Sequence, residues 1–256
     1  MAGQNKREKK IISNIVLVLA IGVFIFSGYK LVGIFLEYHK GESEYESIRE
    51  NVIQEETVTE QETTFAVDFA KLKEINSEVV AWIRFDEPSQ ISYPVVKGTD
   101  NNKYLHTTFE GKKNAAGTLF MDFENEPDFA DRNTFIYGHN MKNGSMFGQL
   151  RQYKTKAFCE ANPYFYIYTP DGKETTYQVF AVSIVKDTSE SYQKWYAGDE
   201  AFLSYVKTAR ELSLYPTDVE VGVDSQIISL STCTNVRDDE RLLVQGVKIG
   251  EKQIGE

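Results

Sequence analysis

The stretch IISLSTCTNVRDDERLLVQ, residues 227–245, opens with an apolar run, Ile227, Ile228 and Leu230, passes through the small polar pair Ser231 and Thr232, and then presents Cys233. A charged loop follows, and Arg241 opens a second apolar run, Leu242, Leu243 and Val244. Short apolar runs bounded by turn residues read as strands. If these two pair as neighbours, thiol and guanidinium face the same hollow, with a cation where a thiolate or an oxyanion would form.

Working outward, the same texture recurs at residues 79–85 (VVAWIRF), 91–96 (ISYPVV), 117–121 (GTLFM), 133–137 (NTFIY), 164–168 (YFYIY) and 174–185 (ETTYQVFAVSIV). With residues 226–230 and 241–249 that makes about eight strands, for which a closed or nearly closed β-barrel is the natural architecture. Pro94 argues for an edge or bulge position, and Asp171-Gly172 is a strong hairpin signal. One helical pattern precedes the series and two interrupt it. One starts near Ala66 (Val67, Phe69, Ala70, Leu72, Ile75) and one covers residues 145–153 (Met146, Phe147, Leu150). The third covers residues 199–212, with Asp199 as the N-cap and a stripe of Phe202, Tyr205, Val206, Ala209 and Leu212.

The N-terminal end is of another kind. Residues 1–10 carry four basic side chains against Glu8, and residues 11–29 form a run of nineteen without a charge. That is long enough to cross a bilayer as a helix. Lys30 interrupts and can snorkel, so the expected anchor covers residues 11–37. The basic flank puts the N-terminus in the cytoplasm and the remainder outside, and no small-x-small cleavage site follows the apolar run. Residues 38–64 read as an acidic stalk or helical linker: residues 41–63 hold eight glutamates and one arginine, with only Tyr45, Ile48 and Val52 as a thin apolar stripe. Residues 65–256 then form the extracytoplasmic domain. The formal net charge of −10 and the lack of a basic stripe argue against nucleic acid as a partner.

The two cysteines, Cys159 and Cys233, do not resemble a disulfide framework; Cys159 reads as a buried packing residue in a short helical segment. Of three histidines, His139 stands out, because it ends the strand at residues 133–137 in the sequence TFIYGHNM, where Gly138 lets the backbone turn. Taken singly, a cysteine, a histidine and an arginine at strand ends are packing or surface residues. Together they supply what thiol catalysis requires: a nucleophile, a proton carrier and a stabiliser of the oxyanion.

The stretches YGHNM (residues 137–141) and LSTC (residues 230–233), with an arginine eight residues on at Arg241, resemble the sortases, membrane-anchored cysteine transpeptidases of Gram-positive bacteria. ISYPVVKGTDNNKYL, NAAGTLFMD and NGSMFGQLRQY, together with the helical N-terminal part and the helix expected at residues 199–212, look like class B members. The resemblance implies an eight-stranded sortase barrel with a helix between its sixth and seventh strands. Cys233 would attack a backbone carbonyl of a substrate protein's C-terminal sorting signal, breaking the bond that follows a threonine and forming a thioester. An amine of a cell-wall peptide or its peptidoglycan precursor would then resolve it, anchoring a surface protein. His139 would carry the proton, and Arg241 would hold the oxyanion or the substrate. Asn101, Leu105, Tyr137, Ser231 and Thr234 match positions that line the substrate groove. The scheme calls for no cofactor and no metal.

Three other readings stay open on the sequence: a pilus-polymerising sortase joining subunits through lysine, a non-catalytic peptide-binding module, and a plain cysteine protease. Arg237 competes with Arg241, which is preferred because it directly precedes the apolar strand. The acidic group Asp122, Glu124, Glu126, Asp128 and Asp131 reads as a solvated loop in preference to a calcium site.

Overall fold

The computed structural model describes residues 2–59 and 62–254; Met1 of the basic tail and residues 60 and 61 of the expected stalk lie outside them. The chain runs α1 (Ala2–Val52), β1 (Ile53–Thr59), β2 (Glu62–Val67), α2 (Phe69–Ile75), β3 (Val79–Phe85), β4 (Ser92–Val96), β5 (Leu119–Met121), β6 (Asn133–Tyr137), α3 (Lys156–Ala161), β7 (Tyr164–Thr169), β8 (Lys173–Lys186), α4 (Asp199–Glu211), β9 (Ile227–Cys233) and β10 (Glu240–Gln253). β3 to β10 close a barrel in the order β10-β8-β7-β3-β4-β5-β6-β9, and β9 completes the ring by pairing with β10. The expected eight strands are all present. β4 runs parallel to β5 and β6 parallel to β9; the other barrel pairs are antiparallel.

β9 is buried almost throughout because β6 and β10 flank it and α4 covers one side. Phe202, Val206 and Ala209 of α4 cluster with Phe180 of β8, Ile227 of β9 and Val247 of β10. A strand covered on both faces reads as a continuous apolar run, which is the texture of residues 227–230. Trp82 of β3 is fully buried, and its indole N–H donates to Ser92 Oγ at 3.0 Å. Pro94 precedes Val95 and Val96, the two residues by which β4 pairs with β5, so on that side it interrupts no ladder.

Element edges differ from expectation for local reasons. The helix expected near Ala66 begins at Phe69, because the Asp68 side chain caps it by accepting the Lys71 N–H at 3.1 Å. Ala66 and Val67 instead extend β2, opposite Gln54 and Ile53. The helix at residues 145–153 is a 3-10 segment at Gly148–Lys154. α4 is capped by Gly198 rather than Asp199, whose carboxylate pairs with Arg132, and Leu212 lies beyond its end and is exposed. Both cysteines are free, and Cys159 is buried in α3.

α1 is long and apolar enough to cross a membrane, and its large apolar side chains from Ile15 to Leu36 are exposed. The helix continues unbroken to Val52, and there the thin stripe Tyr45, Ile48 and Val52 is buried against the barrel core. Glutamate-rich sequence tolerates this because one face of a helix suffices to dock it, leaving Glu42, Glu46 and Glu50 exposed.

Candidate active site

Cys233 is the last residue of β9, and Arg241, at the start of β10, stands directly opposite it in the antiparallel register. Directly opposed residues share a face, so thiol and guanidinium side chains leave the sheet on the same side. β6 lies on the other flank of β9, with Tyr137 level with Ser231. Two residues on is His139, reached through Gly138, whose φ lies outside the left-handed region. The turn therefore asks no special backbone freedom of Gly138. What it requires is room: an added Cβ would sit 2.3 Å from Leu119 Cδ2 and 2.8 Å from Phe147 Cδ2.

A groove of about 420 Å³ opens where these ends converge, lined by Cys233, His139, Arg241, Asn101, Leu105, Tyr137 and Ser231 among others. Thr234 does not reach it. The chain turns away after Cys233, and the buried Thr234 hydroxyl instead accepts the Val236 N–H at 3.2 Å, close to Glu240. Asn235 makes that turn at φ +60°, a conformation asparagine tolerates, and its amide donates to the Asn140 carbonyl at 2.8 Å. Asn140 donates in turn to the Cys233 carbonyl at 2.8 Å, so the histidine loop and the cysteine loop are tied together. Arg237 is 70% exposed in its side chain and pairs with Glu240, away from the groove. A cavity of about 500 Å³ beside Cys159 gathers no histidine.

His139 Nε2 lies 2.7 Å from the Leu105 carbonyl, which can only accept, so this nitrogen carries the proton of the neutral ring and Nδ1 is left to exchange one. Burial holds the imidazole below the usual histidine pKa; the Leu105 carbonyl opposes that, and His106, stacked at 5.8 Å, adds to it. Arg241 is oriented by three acceptors: the Asp238 carbonyl at 2.6 Å, the Glu240 carbonyl at 3.1 Å and Asp187 Oδ2 at 3.1 Å.

Several groove residues escaped the sequence reading. Asp122, read there as part of a solvated loop, is 1% exposed. It accepts from Tyr137 Oη at 2.8 Å, Lys194 Nζ at 3.0 Å and Asn101 Nδ2 at 3.1 Å. Burial disfavours its charge, but the Glu124 N–H, the Tyr137 hydroxyl and Lys194 outweigh that and hold the carboxyl below its usual range. The signal was its place one residue past β5, where a strand end meets the groove, whereas Glu126 and Asp128 after it are exposed. Tyr192 shares a 2.8 Å hydrogen bond with Ser231, and burial pushes its pKa up to about 12. Thr232 lines the groove with a buried hydroxyl that has no hydrogen-bond partner among the described residues.

The Sortase domain family model matches residues 87–249, more than half of the chain. The chain belongs to the sortase family. It is 30% identical over 242 residues to the sortase B of Listeria monocytogenes, covering 93% of this chain and 97% of that one. Its structure is similar to that of sortase B from Bacillus anthracis in complex with AAEK1, at TM-score 0.73 and 31% identity over 84% of this chain and 99% of that one. It is also similar to a Staphylococcus aureus sortase B–substrate complex, at TM-score 0.66 and 28% identity over 71% of this chain and 84% of that one. The closed mixed barrel and these relatives make the chain a class B sortase, and the family's chemistry is that of a cysteine transpeptidase.

Proposed function

We propose that this sortase cleaves a C-terminal sorting signal after threonine and transfers the acyl group to a cell-wall peptide amine, with Cys233 as nucleophile, His139 as proton carrier and Arg241 as oxyanion or substrate stabiliser. The reading rests on one observation: a thiol, an imidazole and a guanidinium from three separate strand ends line a single groove. In the first half-reaction Cys233 passes its thiol proton to Nδ1 of the neutral His139 ring, and the resulting thiolate attacks the threonine carbonyl carbon. The carbonyl electrons move to oxygen, beside Arg241. Collapse breaks the C–N bond, the leaving amine takes a proton from His139, and a thioester remains. In the second half the incoming amine attacks the thioester, gives its proton to the imidazole, and expels the thiolate.

The electrostatics support this division of work. Arg241 is pinned by three acceptors yet keeps further N–H groups, since a guanidinium has five. An oriented cation stabilises a developing oxyanion without reorganising during the reaction. Ser231 offers a polar contact to a bound peptide, while Leu105, Phe120, Tyr137 and Tyr192 give the groove an apolar wall. A groove with few polar groups and an apolar wall fits an extended peptide. A relative solved as a substrate complex shares this fold.

Residues 1–10 then form a cytoplasmic tail, residues 11–37 the membrane anchor, and the catalytic unit stands outside the cell, where the substrate protein and cell-wall amines meet. Turnover of a fluorogenic sorting-signal peptide tests the reading. We expect cleavage by the wild type, faster in the presence of an oligoglycine or diaminopimelate-type amine, and none by Cys233→Ala with the fold retained. Persistent turnover by Cys233→Ala would overturn it.

A further inference from the structure

The expected tether is built into the catalytic end of the barrel. Four residues of α1 on one face, Glu37, Gly41, Glu44 and Tyr45, bear on the loop at residues 106–118. Glu37 takes the Ala115 N–H at 2.9 Å through its carboxylate and the Asn114 side-chain amide at 2.9 Å through its carbonyl. Glu44 Oε1 accepts the Glu110 N–H at 3.1 Å. Tyr45, 2% exposed, donates to the Gly117 carbonyl at 2.5 Å, accepts the Phe109 N–H at 3.3 Å, and stands 3.2 Å from Thr118 Oγ1.

That loop braces, on both sides, the residue that addresses His139. Thr118 N–H bonds to the Tyr104 carbonyl at 3.0 Å, and Asn114 N–H to the His106 carbonyl at 3.0 Å. Leu105, between them, is left with its carbonyl 2.7 Å from His139 Nε2. A second path reaches the other side of the same histidine. The Tyr45 ring meets the Tyr93 ring edge-on at 5.3 Å, Tyr93 Oη accepts the Met146 N–H at 3.2 Å, and the next residue, Phe147, donates to the His139 carbonyl at 3.0 Å. One buried tyrosine on α1 thus bears directly on the first of the two loops that hold the imidazole and, through Tyr93, on the second.

We infer that Tyr45 is a positioning residue for the transpeptidation: it fixes the loop that braces Leu105, whose carbonyl sets the tautomer and orientation of His139, so that the outer part of α1 is a component of the active site. The inference rests on the proposed role of His139 as proton carrier. A proton carrier held by one carbonyl loses its alignment when that carbonyl moves, and displacements of about 1 Å can cost a hundredfold in rate. Ordinary tethers have no such consequence.

The test uses the full chain in detergent or nanodiscs. Tyr45→Phe keeps the ring packing and removes only the hydroxyl. We expect kcat to fall by about tenfold with KM changed less than about twofold. In 15N-histidine spectra, the His139 ring nitrogens should shift from a single Nε2–H tautomer to a mixture. Thr118→Val, which removes the hydroxyl on the loop side, should move both readouts the same way. Val206→Ala, in α4, serves as a control for lost stability: it should lower the Tm without altering the His139 signals. Tyr45→Phe with wild-type kcat and an unchanged tautomer would overturn the inference, as would Val206→Ala reproducing both effects. If the wild type cleaves no sorting-signal peptide, the functional reading fails, and the His139 spectra alone still decide whether Tyr45 positions the ring.

Discussion

At the scale of the residue, the account turns on what surrounds each reacting group. Arg241 lies beside the thiol across one strand pair, and its orientation by Asp187 and two carbonyls fits a stabiliser better than a solvated charge. Arg241→Ala is expected to lower kcat by about a hundredfold or more, the loss typical of a missing oxyanion donor. Arg241→Lys should recover only part of it, because a point charge cannot reproduce the planar fork; both are read from steady-state kinetics. His106 adds to the depression of the His139 pKa, and its stacking helps bury the ring. His106→Ala should therefore raise the NMR titration midpoint of His139 toward about 6.5, the value of a solvated histidine. The stability effect has a definite sign. With the folded midpoint lowered, the unfolded chain takes up the proton first as pH falls below about 6.5, so His139 weakens the fold on that side of neutrality. Cys233, His139 and Arg241 were legible because each closes or opens an apolar run. Asp122, Tyr192 and Lys194 were not, since their significance lies in contacts between segments about 70 residues apart or less.

Among the elements, the barrel was readable strand by strand because barrel strands covered on both faces show as uninterrupted apolar runs. What periodicity could not show was the ordering: the parallel pairs β4 with β5 and β6 with β9 join runs separated by long connections, and local pattern carries no partner information. β1 and β2 were missed for a related reason, since IQEETVT and ETTFAV are polar strands with few apolar residues to mark them. The loop at residues 106–118 is the element on which the site most depends. It closes at Gly117, where φ is +59° and an added Cβ would stand 2.4 Å from the Tyr104 carbonyl oxygen. Gly117→Ala is accordingly expected to destabilise the fold by about 1–3 kcal/mol, seen as a lower Tm, and to reduce activity more than the loss of folded protein explains.

For the whole molecule, the division drawn from composition places the start of the catalytic unit at residue 65, while packing continues it back along α1. Of the glutamates that made residues 38–64 look like a spacer, Glu42, Glu46 and Glu50 of α1 are exposed and Glu44 accepts the Glu110 N–H, while Tyr45, Ile48 and Val52 are buried. A chain starting at residue 36, which keeps Glu37 and its two bonds to the 106–118 loop, should keep the Tm of the full protein. One starting at residue 53 gives up three buried side chains, a loss on the order of 5 kcal/mol by burial alone. In a protein of this size that corresponds to a Tm lower by about 10–20 °C, measurable by thermal unfolding followed by circular dichroism. The central claim, that Cys233 carries the acyl group between two substrates, is tested most directly by intact-mass spectrometry of the full chain quenched in acid after mixing with a sorting-signal peptide. The account predicts an adduct on Cys233 equal to the peptide up to and including its threonine, discharged by added amine and absent from Cys233→Ala. No adduct on the wild type during ongoing cleavage, or the same adduct on Cys233→Ala, would contradict it.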